Sequence, residues 1–209
     1  MTVIGSSLRP TLEARRDQIL AAASACVRRA GFHGASMADI AGAAGLSVGQ
    51  IYRYFENKEA IIEALVAQDA AEIREKFSRL QQSGGPLCEE IIDGCSESME
   101  RNYDPERIAL MLEVLAEAAR NPRVAATLRA ADAEERAFKL KVLKQIGPPD
   151  CGERELVARG EVMSMLFEGM AIRGVNNPDS DRAAIGEVLR SVLRRLLADP
   201  CAPTGQDPS

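Results

Sequence analysis

The segment 47–58 carries polar and aromatic side chains of the types that bind double-stranded DNA. Gln50 can pair with adenine and Arg53 with guanine through two hydrogen bonds each, and Val48 can pack on a thymine methyl group. Lys58 can pair with a phosphate at the start of a helix. We predict DNA contacts from Ser36, Ser47, Val48, Gly49, Gln50, Tyr52, Arg53, Tyr54 and Lys58.

Several of these residues also have a purely structural interpretation. Ser36 and Ser47 are each followed three residues later by an acid or amide, Asp39 and Gln50, which is the capping-box pattern at a helix start. Gln50 could therefore serve only as a cap, and Tyr52 could be partly buried. The spacing by itself leaves both interpretations open.

Two short helices joined by a turn at Gly45 are predicted to hold these side chains. The second one is expected to run from Ser47 through Phe55, with Ile51 and Phe55 facing the protein interior. A helix starting at Leu12 and ending at Gly31 precedes the pair. A long helix capped by Asn57 follows it and extends to about Leu80.

The remaining chain shows helical periodicity and no convincing strand alternation, so we expect an all-α protein of about nine helices. Proline at the first helical position marks two helix starts, at Pro105 and Pro122. The other predicted helices cover about 87–102, about 152–173 with a stop at Gly174, and a last one with an apolar stripe over 185–197. We expect an arm and DNA-binding domain at 1–57, a helical ligand-binding and dimerisation domain at 58–199, and a disordered tail at 200–209.

The charge is divided unevenly along the 209 residues, although the net charge is −5. Residues 1–60 hold seven Lys/Arg and five Asp/Glu, whereas the rest holds nineteen and twenty-six. A mildly basic first part on an acidic remainder is compatible with a small DNA-contact surface.

The motifs of residues 12–66 resemble the N-terminal signature of the tetracycline-repressor (TetR) family. The matching motifs are Gly31-Phe32, 37–41, 44–49, 51–55 and Asn57-Lys58-Glu59. The segment Phe167–Arg173 resembles the late dimer helix of the multidrug-efflux-regulator (AcrR-like) branch. The resemblance implies a cytoplasmic homodimer on palindromic double-stranded DNA. It also implies a repressor that is released when a small lipophilic or cationic inducer repositions the helix at 58–80.

Two apolar sets in the second domain are candidates for the dimer interface and the inducer pocket. The predicted interface comprises Met163, Leu166, Phe167, Met170, Val188, Leu189, Val192 and Leu196. The predicted ligand-binding residues are Met99, Met111, Leu115, Phe138, Met163 and Phe167. Both sets are also compatible with ordinary core packing, since methionine fills gaps in any core.

Glu113 and Glu117 lie one turn apart in an otherwise apolar helix. Facing inward, they could hold a cationic ligand; facing outward, they would pair with Arg120 or with solvent, which we favour.

Other function classes find little support. The only histidine, His33, is expected in a loop, and the five cysteines form no CxxC pair, so we expect no enzyme, metal or cofactor. No apolar run reaches membrane-spanning length, and no membrane partner is expected. Cys88 and Cys95 are seven residues apart on one predicted helix, too far to bridge without unwinding. Gating by oxidation of Cys151 or Cys201, or by a protein partner, stays an alternative to a small inducer.

Overall fold

The computed structural model of the chain describes residues 11–82 and 85–200, and it shows ten α-helices and no strand within them. The all-α prediction is confirmed. The predicted arm at 1–10 and residues 201–209 of the predicted tail lie outside the described residues. The helices are α1 Leu12–Gly34, α2 Met37–Ala43, α3 Val48–Ile51, α4 Lys58–Gln82, α5 Leu87–Asp93, α6 Cys95–Tyr103, α7 Pro105–Ala118, α8 Pro122–Ile146, α9 Glu153–Asn176 and α10 Arg182–Ala198.

The chain forms two compact units, which we call the head and the body. The head comprises Met1–Gln68 with Leu110–Thr127, and the body comprises Asp69–Ala109 with Leu128–Ser209. The chain passes from one unit to the other within α4, α7 and α8. The predicted boundary at residue 57 stays a prediction.

Local sequence signals start several helices where they were predicted. Asn57 Oδ1 accepts a hydrogen bond from Ala60 N at 2.8 Å at the start of α4. Asn121 Oδ1 likewise accepts from Arg123 N at 3.1 Å at the start of α8. These side chains satisfy backbone donors that have no partner in the first helical turn.

Two predicted helix ends are corrected by the structure. Gly31 interrupts α1 with a φ of 74°, a backbone that favours glycine, but helical residues continue to Gly34. His33 therefore lies at the end of α1 and not in a loop. Gly174 does not end α9, which continues to Asn176. Instead, a Cβ atom at Gly174 would lie 3.1 Å from the Tyr103 ring, so this glycine permits close packing inside the body.

The predicted single helix at about 87–102 is divided into α5 and α6 at Gly94. This division accounts for ten described helices where about nine were expected. None of the described helices combines the length and the apolar character needed to cross a membrane.

Each unit has its own hydrophobic core. The head core joins α1, α2, α3 and the start of α4, and its fully buried side chains include Ile19, Ile40, Ile51 and Ile61. The body core is built from α5, α6, α8, α9 and α10. The head core buries Ile51 of α3 and thereby determines which side of this helix is exposed.

Candidate nucleic-acid interface

The capping boxes that open α2 and α3 are both present. Ser47 Oγ accepts a hydrogen bond from Gln50 N at 3.3 Å, and Gln50 Oε1 accepts one from Ser47 N at 2.8 Å. The structural interpretation of Gln50 is therefore confirmed. Its contact with a base stays a prediction, and it requires the amide to leave this cap.

At α2 the same arrangement includes a charged group. Asp39 Oδ2 accepts from the Ser36 hydroxyl at 2.5 Å and from Ser36 N at 2.9 Å. These hydrogen bonds, the hydroxyl first, lower the pKa of Asp39 below its usual value. A phosphate contact from Ser36 would have to compete with this carboxylate for the hydroxyl proton.

The α3 helix ends at Ile51, so the predicted continuation to Phe55 is wrong. Residues 52–54 form a tighter turn, in which Tyr54 N donates to Ile51 O at 2.9 Å. The predicted inward orientation of Ile51 and Phe55 is confirmed, because their exposed fractions are 0% and 3%. Both pack in the head core with Ile40 and the half-buried Leu46.

Two side chains of α1 hold the segments on either side of α3 from outside the motif, Arg16 the turn after it and Gln18 the turn before it, a role that sequence reasoning missed. Arg16 Nη1 donates to Tyr54 O at 3.1 Å, and its guanidinium lies 4.4 Å from the centre of the Phe55 ring. Gln18 Nε2 donates to Ala44 O at 2.6 Å. No local pattern marks such contacts, because the partners are 38 and 26 residues apart.

With Ile51 and Phe55 buried, most of the predicted contact residues are exposed to solvent. Val48 and Tyr52 are 42% and 52% exposed, and the remaining exposed members are Ser36, Ser47, Gly49, Gln50 and Arg53. Tyr54 is half-buried. We call the exposed predicted residues of α3 and its following turn the recognition face; their contact with DNA stays a prediction.

Lys58 is the exception, since its ammonium group is bound within the head. Nζ donates to Phe32 O and to Ala35 O, the latter at 2.9 Å, and lies 4.3 Å from the centre of the Phe32 ring. These contacts join the start of α4 to the end of α1. A phosphate contact from Lys58 stays a prediction that requires the side chain to exchange these partners.

Comparison with known proteins identifies the class to which this architecture belongs. The model of the bacterial regulatory proteins of the tetR family matches residues 19–65, and the tetracyclin repressor-like C-terminal domain matches residues 88–199. The chain belongs to the tetR family. The prediction that it is not an enzyme agrees with this class of transcriptional regulators, whereas the AcrR-like branch stays a prediction.

Individual relatives of this tetR-family chain support the same assignment. It is 33% identical to the HTH-type transcriptional regulator UidR of Escherichia coli (strain K12) over 114 residues, 54% of this chain and 57% of the relative. The match thus spans little more than half of that relative. GusR of Salmonella enterica is 25% identical with a TM-score of 0.72, covering 92% of this chain and 99% of GusR. FadR of Bacillus subtilis, solved in complex with stearoyl-CoA, is 21% identical with a TM-score of 0.67, covering 87% and 97%.

In this tetR-family chain, the predicted ligand-binding residues are divided between the two units. Met99 is buried in the body core, and Met163 and Phe167 pack against it. A cavity of about 230 Å³ lies between α8 and α9, lined by residues such as Leu140, Leu143 and Gly160, and none of the predicted residues lines it. Phe138 is half-buried in the body, whereas Met111 and Leu115 belong to the head. The ligand role of all six stays a prediction.

The predicted dimer residues also divide by burial. Met170 and Leu189 lie in the body's own core with exposed fractions of 6% and 5%, whereas Val188 is 64% exposed. The half-buried members are Met163, Leu166, Phe167, Val192 and Leu196. The exposed apolar side chains of α9 lie on another side of the helix and include Val162, Met165, Ile172 and Val175.

Three thiols among the described residues are poorly suited to sense oxidation. Cys26, Cys88 and Cys95 are free, and Cys26 and Cys95 are buried. Burial raises the pKa of the Cys88 and Cys95 thiols, which lowers the fraction of reactive thiolate. Within residues 11–82 and 85–200, no group of three or more His, Cys, Asp or Glu side chains is placed to hold a metal ion.

Glu113 and Glu117 face inward, so the favoured outward orientation is wrong for Glu117, which is only 3% exposed. Both acids contact residues at the end of α1, and Glu117 also accepts a hydrogen bond from Asn121. The alternative that the inward-facing pair binds a cationic ligand stays a hypothesis.

Proposed function

We propose that the chain is a dimeric repressor that binds a palindromic operator through the recognition face. The observation that carries this proposal is the division of the 48–55 segment into two buried anchors, Ile51 and Phe55, and an exposed set with Val48, Tyr52 and Arg53. Arg53 is placed to contact guanine, because its guanidinium can form two hydrogen bonds with one base edge. Family membership supports the same function.

We propose that two copies pair through the exposed apolar side of α9. Val162, Met165 and Ile172 are exposed there and recur at helical spacing. Gly169 lies between them, and a Cβ atom at this position would have no neighbouring atom within 4 Å, which leaves room for a second chain. Val188 of α10, 64% exposed, adds to the candidate surface. Two-fold pairing places two heads on the two halves of a palindromic site, about one helical turn apart.

Selection of duplexes from a randomised pool tests the DNA-binding proposal. The wild-type protein is expected to enrich an inverted repeat. Arg53→Ala is expected to lose about 1–3 kcal/mol on that repeat and to accept other bases at one position of each half-site. Arg154→Ala, at an exposed position of the body, serves as the control and should keep the wild-type preference.

The same selection tests the dimer surface with Ile172→Glu, which places a charge in the proposed apolar contact. This variant is expected to sediment as a monomer and to enrich single half-sites. Unchanged base preference in Arg53→Ala, or enrichment of the intact inverted repeat by a monomeric Ile172→Glu, would contradict the proposal.

We further propose that a small lipophilic or cationic molecule binds the body and releases the DNA. The methionine-rich body core supports this, because methionine side chains adapt to varied apolar ligands. The fold can hold such a ligand, as the stearoyl-CoA complex of Bacillus subtilis FadR illustrates. The cavity of about 230 Å³ is smaller than typical ligand pockets of about 300–1,000 Å³, so binding is expected to enlarge it.

The inducer proposal is tested by titrating the complex with the selected duplex. Long-chain acyl-CoA and a lipophilic quaternary ammonium compound are the probes, and hydrogen peroxide is the comparison. At least one organic probe is expected to lower DNA affinity by about tenfold or more, the usual range for coupled sites. Release by peroxide alone would favour the oxidation alternative instead.

A further inference from the structure

Two carboxylates of α7 contact the end of α1 inside the head. Glu113 Oε2 accepts a hydrogen bond from Phe32 N at 3.1 Å. The same oxygen would lie 3.2 Å from a Cβ atom at Gly31, where φ is 74°. The break in α1 at Gly31 thus leaves the Phe32 N–H available to a donor–acceptor contact outside the helix. It also leaves space for the carboxylate of Glu113, which is 81 residues away in the chain.

Glu117, one turn further along α7, is the more unusual of the two acids. Its side chain is 4% exposed, and Oε1 accepts from Asn121 Nδ2 at 3.0 Å. Oε2 lies 3.0 Å from His33 Nε2, an ion-pair distance, yet it accepts no aligned hydrogen bond from any described residue. A buried carboxylate oxygen without a donor is costly, so a proton on the facing imidazole nitrogen would relieve a real deficit.

The charged groups around this pair leave His33 as the natural donor. A depression of about 430 Å³ lies beside the pair and is also lined by Lys58 and Glu59 from α4 and by Arg120 from the turn after α7. Lys58 already donates to Phe32 O and Ala35 O, and Arg120 is exposed. The His33 side chain is 71% exposed, so its imidazole is accessible to solvent.

We propose that His33 and Glu117 form a proton-binding joint that positions α1 of the head and makes DNA affinity depend on pH. A neutral imidazole can already carry one hydrogen on Nε2, and the second proton, gained between about pH 5 and 8, adds a positive charge that attracts the buried Glu117 carboxylate. The position of α1 matters for DNA because two side chains of that helix hold the segments on either side of α3: Arg16 donates to Tyr54 O in the turn after α3, which we call the recognition turn, and Gln18 donates to Ala44 O before it. His33 and Glu117 act as positioning residues, and the DNA consequence rests on the proposed function.

A double-mutant cycle at two pH values tests the joint without DNA. The variants are His33→Ala, Glu117→Gln and the double variant, and thermal unfolding is followed in the full chain at pH 6 and pH 8. At pH 6 the pair is expected to be coupled by a shift of about 2–4 °C in Tm. The coupling should be weaker at pH 8, because a neutral imidazole can offer Glu117 a hydrogen bond but no charge attraction.

Glu59→Gln is the matched control, since it removes a carboxylate from the same depression without a contact to His33. It is expected to show no coupling with His33→Ala at either pH. Absence of coupling between His33 and Glu117 at pH 6, or equal coupling at both pH values, overturns the proposal.

The pH dependence of DNA affinity distinguishes the proposed joint from a pair that has only a structural role. At constant ionic strength, the affinity of the wild-type protein for its selected duplex is expected to differ about fivefold between pH 6 and pH 8. His33→Gln, whose amide donates at every pH, and Glu117→Gln should both lose this difference, whereas Glu59→Gln should keep it. Retention of the wild-type difference in both joint variants overturns the proposal. If no duplex is bound at all, the DNA-binding proposal fails, and the thermal cycle still decides the joint.

Discussion

An Arg159→Met variant is expected to lose about 3 kcal/mol of the free energy of unfolding of the body. The Arg159 side chain is 10% exposed and reaches from α9 to the end of α10. Its Nη1 donates to Leu196 O at 3.0 Å and to Asp199 O at 2.9 Å, and Nη2 donates to Glu155 Oε1 at 2.8 Å. Methionine fills a similar volume but donates to none of these oxygens.

The loss is large because the variant leaves both backbone carbonyls and a carboxylate without their hydrogen-bond donor. The last carbonyls of an α-helix have no partner within the helix, and here a buried guanidinium supplies the donors. Glu155 would also lose its ion-pair partner. Urea denaturation followed by circular dichroism measures the effect.

Two companion variants make this prediction specific. Arg154→Met removes an exposed arginine of the same helix and is expected to change stability by less than about 0.5 kcal/mol. Arg159→Lys keeps the charge but not the planar fork of donors, so it should fall between, at about 1–2 kcal/mol. Equal stability of the two methionine variants would show that the α10 carbonyls do not need Arg159.

The second large effect is expected in the head, where Ile51→Ala should cost about 2–5 kcal/mol. Ile51 is fully buried and is the last residue of α3, a helix of only four residues. Such a short helix depends on tertiary packing for its stability. The cavity left by three missing carbon atoms is therefore expected to release the recognition turn and to abolish binding to the selected duplex.

Val48→Ala is the control on the opposite side of the same helix. Val48 is 42% exposed, so this variant should keep the stability of the head within about 0.5 kcal/mol. Any loss of DNA affinity in Val48→Ala would then come from a lost base contact. Differential scanning calorimetry and fluorescence anisotropy measure the two properties separately. An Ile51→Ala protein with wild-type stability would contradict the assigned role of the anchor.

Much of the head could be predicted from the sequence because its signals are local. The capping boxes at Ser36 and Ser47 require residues only three positions apart, and both are present. The apolar spacing of α1 and the pair Ile51 and Phe55 likewise report which side of a helix is buried. These features predict the recognition face, because burial of Ile51 and Phe55 leaves the side chains of Tyr52 and Arg53 exposed.

The end of α3 was predicted less well, for a reason that is also physical. Residues 52–54 have no glycine or proline to mark a break, and the helical spacing of Ile51 and Phe55 suits a continued helix. The tighter turn is held by Arg16, 38 residues away from Tyr54. A contact of that separation leaves no trace in the local pattern.

The choice between two apolar stripes of α9 was also beyond the sequence. Met170 and Ile172 have similar hydrophobicity, yet the first is 6% exposed and the second 54%. Only the packing of α6 and α10 against α9 decides which stripe enters the body core. The predicted interface therefore included residues that the fold uses internally.

From the amino-acid order alone follow the all-α class, most helix starts, the recognition segment and the family, because each depends on residues within a turn or two of one another. Tertiary structure alone decided the inward position of Glu117, the carbonyl partners of Lys58 and the cap that Arg159 places on α10. Each of these groups gives up water for a partner that is distant in the chain. Glu117 lies 84 residues from His33, Lys58 lies 26 residues from Phe32, and Arg159 lies 37 residues from Leu196. Only the folded chain brings such partners together. The position of each charged side chain then depends on whether its new partners offset the free energy lost on leaving water.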